Sequence, residues 1–207
     1  MIGRTGLVVF MIAAGAAAGC HRSGSNAGRD VENPGQSAPV NTVQDVAAGP
    51  VGMASAVMAN TPAEYVTAAA IGDMYEIQAG KIALERAKDP QVKALAQMIV
   101  DDHTKLSTAL KAAAAKAQPP LQPPVAMDER RQGMIDNLRA AGDTDFDLAF
   151  LHQQLAAHLE ALTLHKGYAD RGDNPELKAA AAAAAPRIQA HLDMVRKAGG
   201  DKLKDPG

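Results

Sequence analysis

Between residues 62 and 197 apolar residues recur every three or four positions, and the recurrence stops and restarts at prolines. Spacing of that kind draws one apolar stripe along a helix. Three restarts share one form, a capping residue followed by proline: Thr61-Pro62, Asp89-Pro90 and Asn174-Pro175. The short polar side chain accepts from the first free backbone N–H groups, and proline suits the first helical position because it has no N–H to leave unpaired. Glu64, three residues after Thr61, can complete a capping box. Thr144 with Asp147 offers a fourth start, with Asp147 capping its own helix. The pattern predicts helices over 62–88, 90–117, 144–171 and 175–197, the last stopping at Gly199-Gly200.

Tight turns at Lys88-Asp89 and Gly172-Asp173 make two antiparallel hairpins of these helices. Residues 118–143 join them. "QPPLQPP" (118–124) is extended polyproline, and "MDERRQGMIDNLRA" (127–140) is a short amphipathic helix. The extended part spans ~18 Å and the short helix ~21 Å, about the ~40 Å length of a main helix. A connector able to run the length of a bundle predicts an all-α, ferritin-like four-helix bundle with a long crossover containing a short helix.

Each stripe is broken by polar residues. The first runs Val66, Ala69, Asp73, Glu76, Gly80, Ala83, Ala87, and the second Val92, Leu95, Ile99, His103, Leu106, Leu110. The third runs Leu148, Leu151, Leu155, His158, Leu162, His165, Ala169, and the fourth Leu177, Ala181, Ala184, Ile188, His191, Val195. Counted from the turns, Glu76 and His103 fall within ~3 Å of one level, and His158 and His191 within ~5 Å. All four are expected near mid-bundle. Phe146 and Phe150 should plug one end of the core. Asp73 is expected nearer an end and wet, His165 half-exposed, and His152 paired with Asp193. Pro186 is expected to kink or break the last helix before His191.

Composition narrows the class. Hydrophobic residues make up 47% of the 207, enough for a core, yet aromatics are only 3% and Trp is absent. Alanine-rich stripes favour close helix packing. A formal net charge of −2 with no basic stripe argues against a nucleic-acid partner. The first 19 residues read as a signal peptide: Arg4, then an apolar run from Leu7 to Ala18 too short to span a bilayer, which needs ~20 residues. The run ends in "AAGC", whose Cys20 is the protein's one cysteine. A lone cysteine after an export signal fits lipidation, which would anchor the protein to a membrane. "AAGC" resembles a bacterial lipobox, and His21 after it, by resemblance to a known sorting rule, points to the outer membrane. Residues 20–60, rich in Gly, Ser, Asn, Pro and Ala, read as a disordered tether, 61–198 as the bundle, and 199–207 as a flexible tail.

"AQMIVDDHTKL", "DFDLAFLHQQLAAHLEAL" and "APRIQAHLDM" resemble the motifs of a bacterial ferritin-like family, a domain of unknown function in exported and outer-membrane-assigned proteins. The resemblance covers about 62–197 and implies a four-helix bundle in the cell envelope, with no established activity. Its motif residues here are Glu76, Asp102, His103, Asp147, His158, Pro186 and His191. Phe150 stands where the family commonly has Tyr. Di-iron ferritins carry Glu-x-x-His on two helices, but Val100, Leu155 and Ile188 precede the three histidines here.

Two functions follow from the same residues. In one, buried carboxylates and imidazoles satisfy one another and lock the core of a lipid-anchored envelope protein with a structural or interaction role. A partner could then dock on the short helix 127–140. In the other, Glu76, His103, His158 and His191 hold one transition-metal ion, Zn, Fe, Mn or Cu, with Asp102 orienting an imidazole from behind. The sequence has no nucleophile–base pair and no glycine-rich phosphate loop, so enzyme activity would depend on the metal.

Overall fold

A computed structural model describes residue 49 and residues 51–203. The signal peptide, Cys20, most of the tether and residues 204–207 lie outside the described residues. From residue 62 on, five α-helices follow in order: α1 (Pro62–Arg86), α2 (Pro90–Lys116), α3 (Glu129–Ala140), α4 (Phe146–Arg171) and α5 (Pro175–Gly199). α1 pairs with α2 and α4 with α5, and the hairpins join through α2 against α5 and α1 against α4. α3 lies on α1 and α4 within the crossover. This is an all-α, ferritin-like four-helix bundle with a long connector.

The caps act as their chemistry requires. Thr61 and Glu64 form a reciprocal capping box, and Asp89 and Asn174 accept from Gln91 N–H and Leu177 N–H. Asp147 behaves otherwise. It caps nothing on α4, whose first residue follows Asp145 with no side-chain cap. Its carboxylate instead accepts from the backbone N–H groups of Lys88 and Asp89, the latter at 2.8 Å, and so clamps the turn of the other hairpin. Those N–H groups precede α2 and have no helical acceptor of their own.

Helices approach closely where side chains are small. A Cβ at Gly80 would stand 2.7 Å from Val100 Cγ2 and 3.1 Å from the Ala96 carbonyl, so the α1–α2 contact requires glycine. Phe146 and Phe150 are buried at one end, as expected, with Ile135, Leu138 and Leu151. The α3 end is held from α1 by Arg86, which donates to the carbonyls of Leu138, Arg139 and Ala141. These are among the acceptors a helix leaves open at its C-terminus.

The buried face of α4 is rotated from the expected stripe. Leu148 is exposed and Leu155 and Leu162 are half-buried, while Phe146, Phe150, Gln153, Gln154, Ala157, His158, His165 and Tyr168 face inward. The larger aromatic rings take the core positions. α5 runs through Pro186 without a break. Pro186 and Ala182, whose carbonyl loses its helical donor, are both exposed, so the unpaired carbonyl is not sealed in the core. Order also starts earlier than residue 61: residues 51–58 are helical, and Ala56 and Ala59 pack with Tyr65, Val66 and Leu164. After α5, Gly200 at φ 50° turns the chain into a 3-10 segment, and Leu203 packs against the core. No described helix is long and apolar enough to cross a membrane.

Candidate metal centre

Each long helix brings polar side chains to mid-bundle: Asp73 and Glu76 from α1, Asp102 and His103 from α2, His158 from α4, His191 from α5. His103, His158 and His191 form a triangle of rings, with centroids 5.3–5.7 Å apart. One nitrogen from each lies within 4.8 Å of the other two, and all three residues are buried.

The far side of each ring has an acceptor. His103 Nδ1 donates to Asp73 Oδ1 at 2.8 Å. His158 Nδ1 donates to the Gln154 carbonyl at 3.0 Å, and His191 Nε2 to Asp102 Oδ2 at 3.2 Å. A carbonyl can only accept, so His158 carries its proton on Nδ1 and presents a lone pair at Nε2. By the same reasoning His191 presents a lone pair at Nδ1. These two nitrogens face each other at 3.2 Å. His103 Nε2 is buried without a partner.

Electrostatics separates the three rings. Burial works against charge on His103, but its bond to Asp73 and the charges of Glu76 and Asp73 outweigh burial and raise its pKa. Burial, with His103's charge, takes His158 down to about 3. Burial, then the charges of His158 and His103, takes His191 to about 4 against the pull of Asp102. Burial raises both Asp73 and Glu76, and His103 opposes it in each case. Burial also works to raise Asp102, but hydrogen bonds from His191 and Lys105 prevail and hold it below the usual carboxylate range.

Several expectations need correcting. Asp73 is not wet but 4% exposed, and it rather than Glu76 is the partner of His103. Glu76 Oε1 lies 3.6 Å from His158 Nδ1, the ring's outer nitrogen, and Oε2 has no partner. The ~5 Å mismatch expected between His158 and His191 is closed by the reach of the side chains. His165 is buried, 3.0 Å from the Tyr65 hydroxyl, while His152 is exposed and Asp193 accepts from Gln189 instead. Asp73 was legible only as a stripe position. The signal for its role was spacing: Asp73 and Glu76 are three apart and share a helix face.

The donor set fits a single ion. Metal–nitrogen bonds of ~2.0–2.1 Å in a tetrahedron put ligand nitrogens about 3.4 Å apart. The His158–His191 gap of 3.2 Å already has that size. An acceptor behind each imidazole turns its inner nitrogen toward the other two rings, and in His158 and His191 leaves that nitrogen free. The cluster can therefore coordinate one metal ion.

A family described as a domain of unknown function, DUF4142, matches residues 47–198. The chain belongs to the DUF4142 family. That match includes the helical residues 51–58 as well as the bundle. Among solved structures, the DUF4142 chain is similar to one titled "CopM in the Cu(I)-bound form", with a TM-score of 0.57 and 19% identity. The similarity covers 70% of this chain and 99% of that one, and shows a shared fold. No curated protein matches the chain.

Proposed function

We propose that this chain is an exported metal-binding protein of the cell envelope, holding one transition-metal ion on His103, His158 and His191. The carrying observation is the pair of lone-pair nitrogens, His158 Nε2 and His191 Nδ1, facing each other at 3.2 Å beside the unpartnered Nε2 of His103. Neutral imidazoles so placed repel unless a cation sits among them. A purely structural lock would match each donor with an acceptor, and here two lone pairs face each other beside an unpartnered ring nitrogen. Glu76 is the neighbouring carboxylate for a fourth position or for a bound water, while Asp73 and Asp102 orient two of the rings.

Copper is the first candidate. Imidazole suits Cu, Zn, Fe and Ni, and divalent copper binds nitrogen donors most tightly of these. The similar fold titled as a Cu(I)-bound form supports the choice, although its ligands are not carried over. The bound ion would supply Lewis acidity or one-electron chemistry, and this chain's residues would hold it away from water. The export signal and Cys20 read from the sequence support an envelope location with a lipid anchor and an outer-membrane destination. Mass spectrometry of the mature N-terminus tests this: an unmodified Cys20 removes the anchor.

Elemental analysis of protein purified without a polyhistidine tag, before and after chelation and copper reloading, tests the site. We expect about one ion per chain, lost in His103→Gln/His158→Gln. Absence of bound metal after reloading, with the same thermal midpoint with and without copper, would refute the reading.

A further inference from the structure

A groove of about 540 Å³ opens between residues 55–59, α1, the start of α3 and α4. Behind it lies a cavity of about 20 Å³, large enough for one water, that touches Asp73, Glu76 and His103. Groove and cavity share four wall residues, Ala68, Arg131, Glu160 and Leu164. We infer that this groove is the route by which the ion reaches the histidine triangle, and that an ion pair at Glu160 is its latch. The inference rests on the metal-binding function proposed above and specifies how that site is loaded.

Glu160 stands at the junction. Arg130 binds both its oxygens, at 2.8 and 3.0 Å, and Arg131 reaches it at 3.0 Å. Arg131 is itself buried, its guanidinium 4.7 Å from the centre of the Tyr75 ring. The two arginines belong to α3, part of the crossover rather than of the four long helices, so the latch can shift without opening the bundle. Charge favours a cation along this path. Glu64, Asp128 and Glu160 line the groove against the two arginines, and Asp73 and Glu76 wait at the inner end.

The inner passage is walled by small residues. Gly72 lines the cavity, and a Cβ built there meets nothing within 4 Å. A side chain at residue 72 would therefore grow into open space and obstruct the way in, while leucine in place of glycine favours the helix. The other approach is past Asp102, which is 17% exposed at its side chain. Two cations, Lys105 and Arg187, sit on that one carboxylate at 3.3 and 3.2 Å, and no cavity of the size above adjoins it among the described pockets.

Loading of the full metal-free chain with Cu(II), read by quenching of its tyrosine fluorescence in a stopped-flow instrument, tests the route. Gly72→Leu should slow loading and chelator-driven removal by about tenfold or more, since binding that waits on a side-chain movement is slow, while final stoichiometry and affinity stay as in the wild type. Arg130→Gln, which loosens the latch, should speed both steps. Arg187→Gln should change neither. Unchanged rates in Gly72→Leu, or acceleration by Arg187→Gln alone, would overturn the route while leaving the metal site standing. A wild-type chain that takes up no copper would overturn the metal site and the route together. Circular-dichroism melts confirm that each variant is folded.

Discussion

The bundle holds two carboxylate–imidazole pairs that are chemically alike and physically opposite. Asp73 and His103 are sealed in the core, their side chains 5% and 3% exposed. Asp102 and His191 make the same kind of bond at the edge, where Asp102 also meets Lys105 and Arg187. Burial raises the Asp73 carboxyl and His103 is the main group opposing it, so each partner depends on the other for its charge. Asp102 needs no such reciprocity, since His191, Lys105 and Arg187 together keep it ionised. A buried pair sets protonation, whereas a surface-anchored pair sets orientation. The triangle between them uses both.

Breaking the inner pair should have the larger consequence. Asp73→Asn strips His103 of its counter-charge, and removing one partner of a buried pair costs about 3–5 kcal/mol. Urea unfolding of the metal-free protein checks this, and copper affinity should fall by roughly 10–100-fold as ring orientation is lost. His165→Gln has the next effect. Burial takes His165 to about 3 from an ordinary value of 6.5. Below 6.5 the unfolded chain therefore takes up a proton that the folded chain refuses, and stability present above 6.5 is lost as pH falls toward 3. The wild type should lose about 2 kcal/mol more than His165→Gln between pH 7 and pH 5, measured by urea titration at both pH values. Glutamine keeps an acceptor for Tyr65. Asp102→Asn should move stability least, by under about 1 kcal/mol, while still lowering copper affinity about tenfold. Equal stability losses in Asp73→Asn and Asp102→Asn would abolish the contrast between core and edge.

The helices were legible because their starts are chemical. Thr61, Asp89 and Asn174 each precede a proline, and each caps where it stands. The three histidines were legible because each interrupts an apolar stripe. Asp73 and Asp147 were misread for a common reason: their partners come from other helices or the far hairpin. Asp147 near Phe146 looks like a local cap, and only the packed hairpins bring Lys88 and Asp89 to it. Asp73 looked too far from mid-helix because a residue count fixes level along a rod but not the offset between rods. Pro186 could stay inside α5 because it faces water, and the stripe alone does not price that exposure. Residues 51–58 leave their large apolar side chains Val51, Val57 and Met58 exposed and seat instead through Ala56, with Ala59 just beyond, so their apolar pattern does not mark the buried face.

The triangle draws one corner from the first hairpin and two from the second, so neither half of the chain owns it. Separately expressed halves would have at most two corners each, and mixing them would restore the third only where they dock. A guest held in that space would thus report on finished assembly: it would enter only once the hairpins have met and would be released when they part.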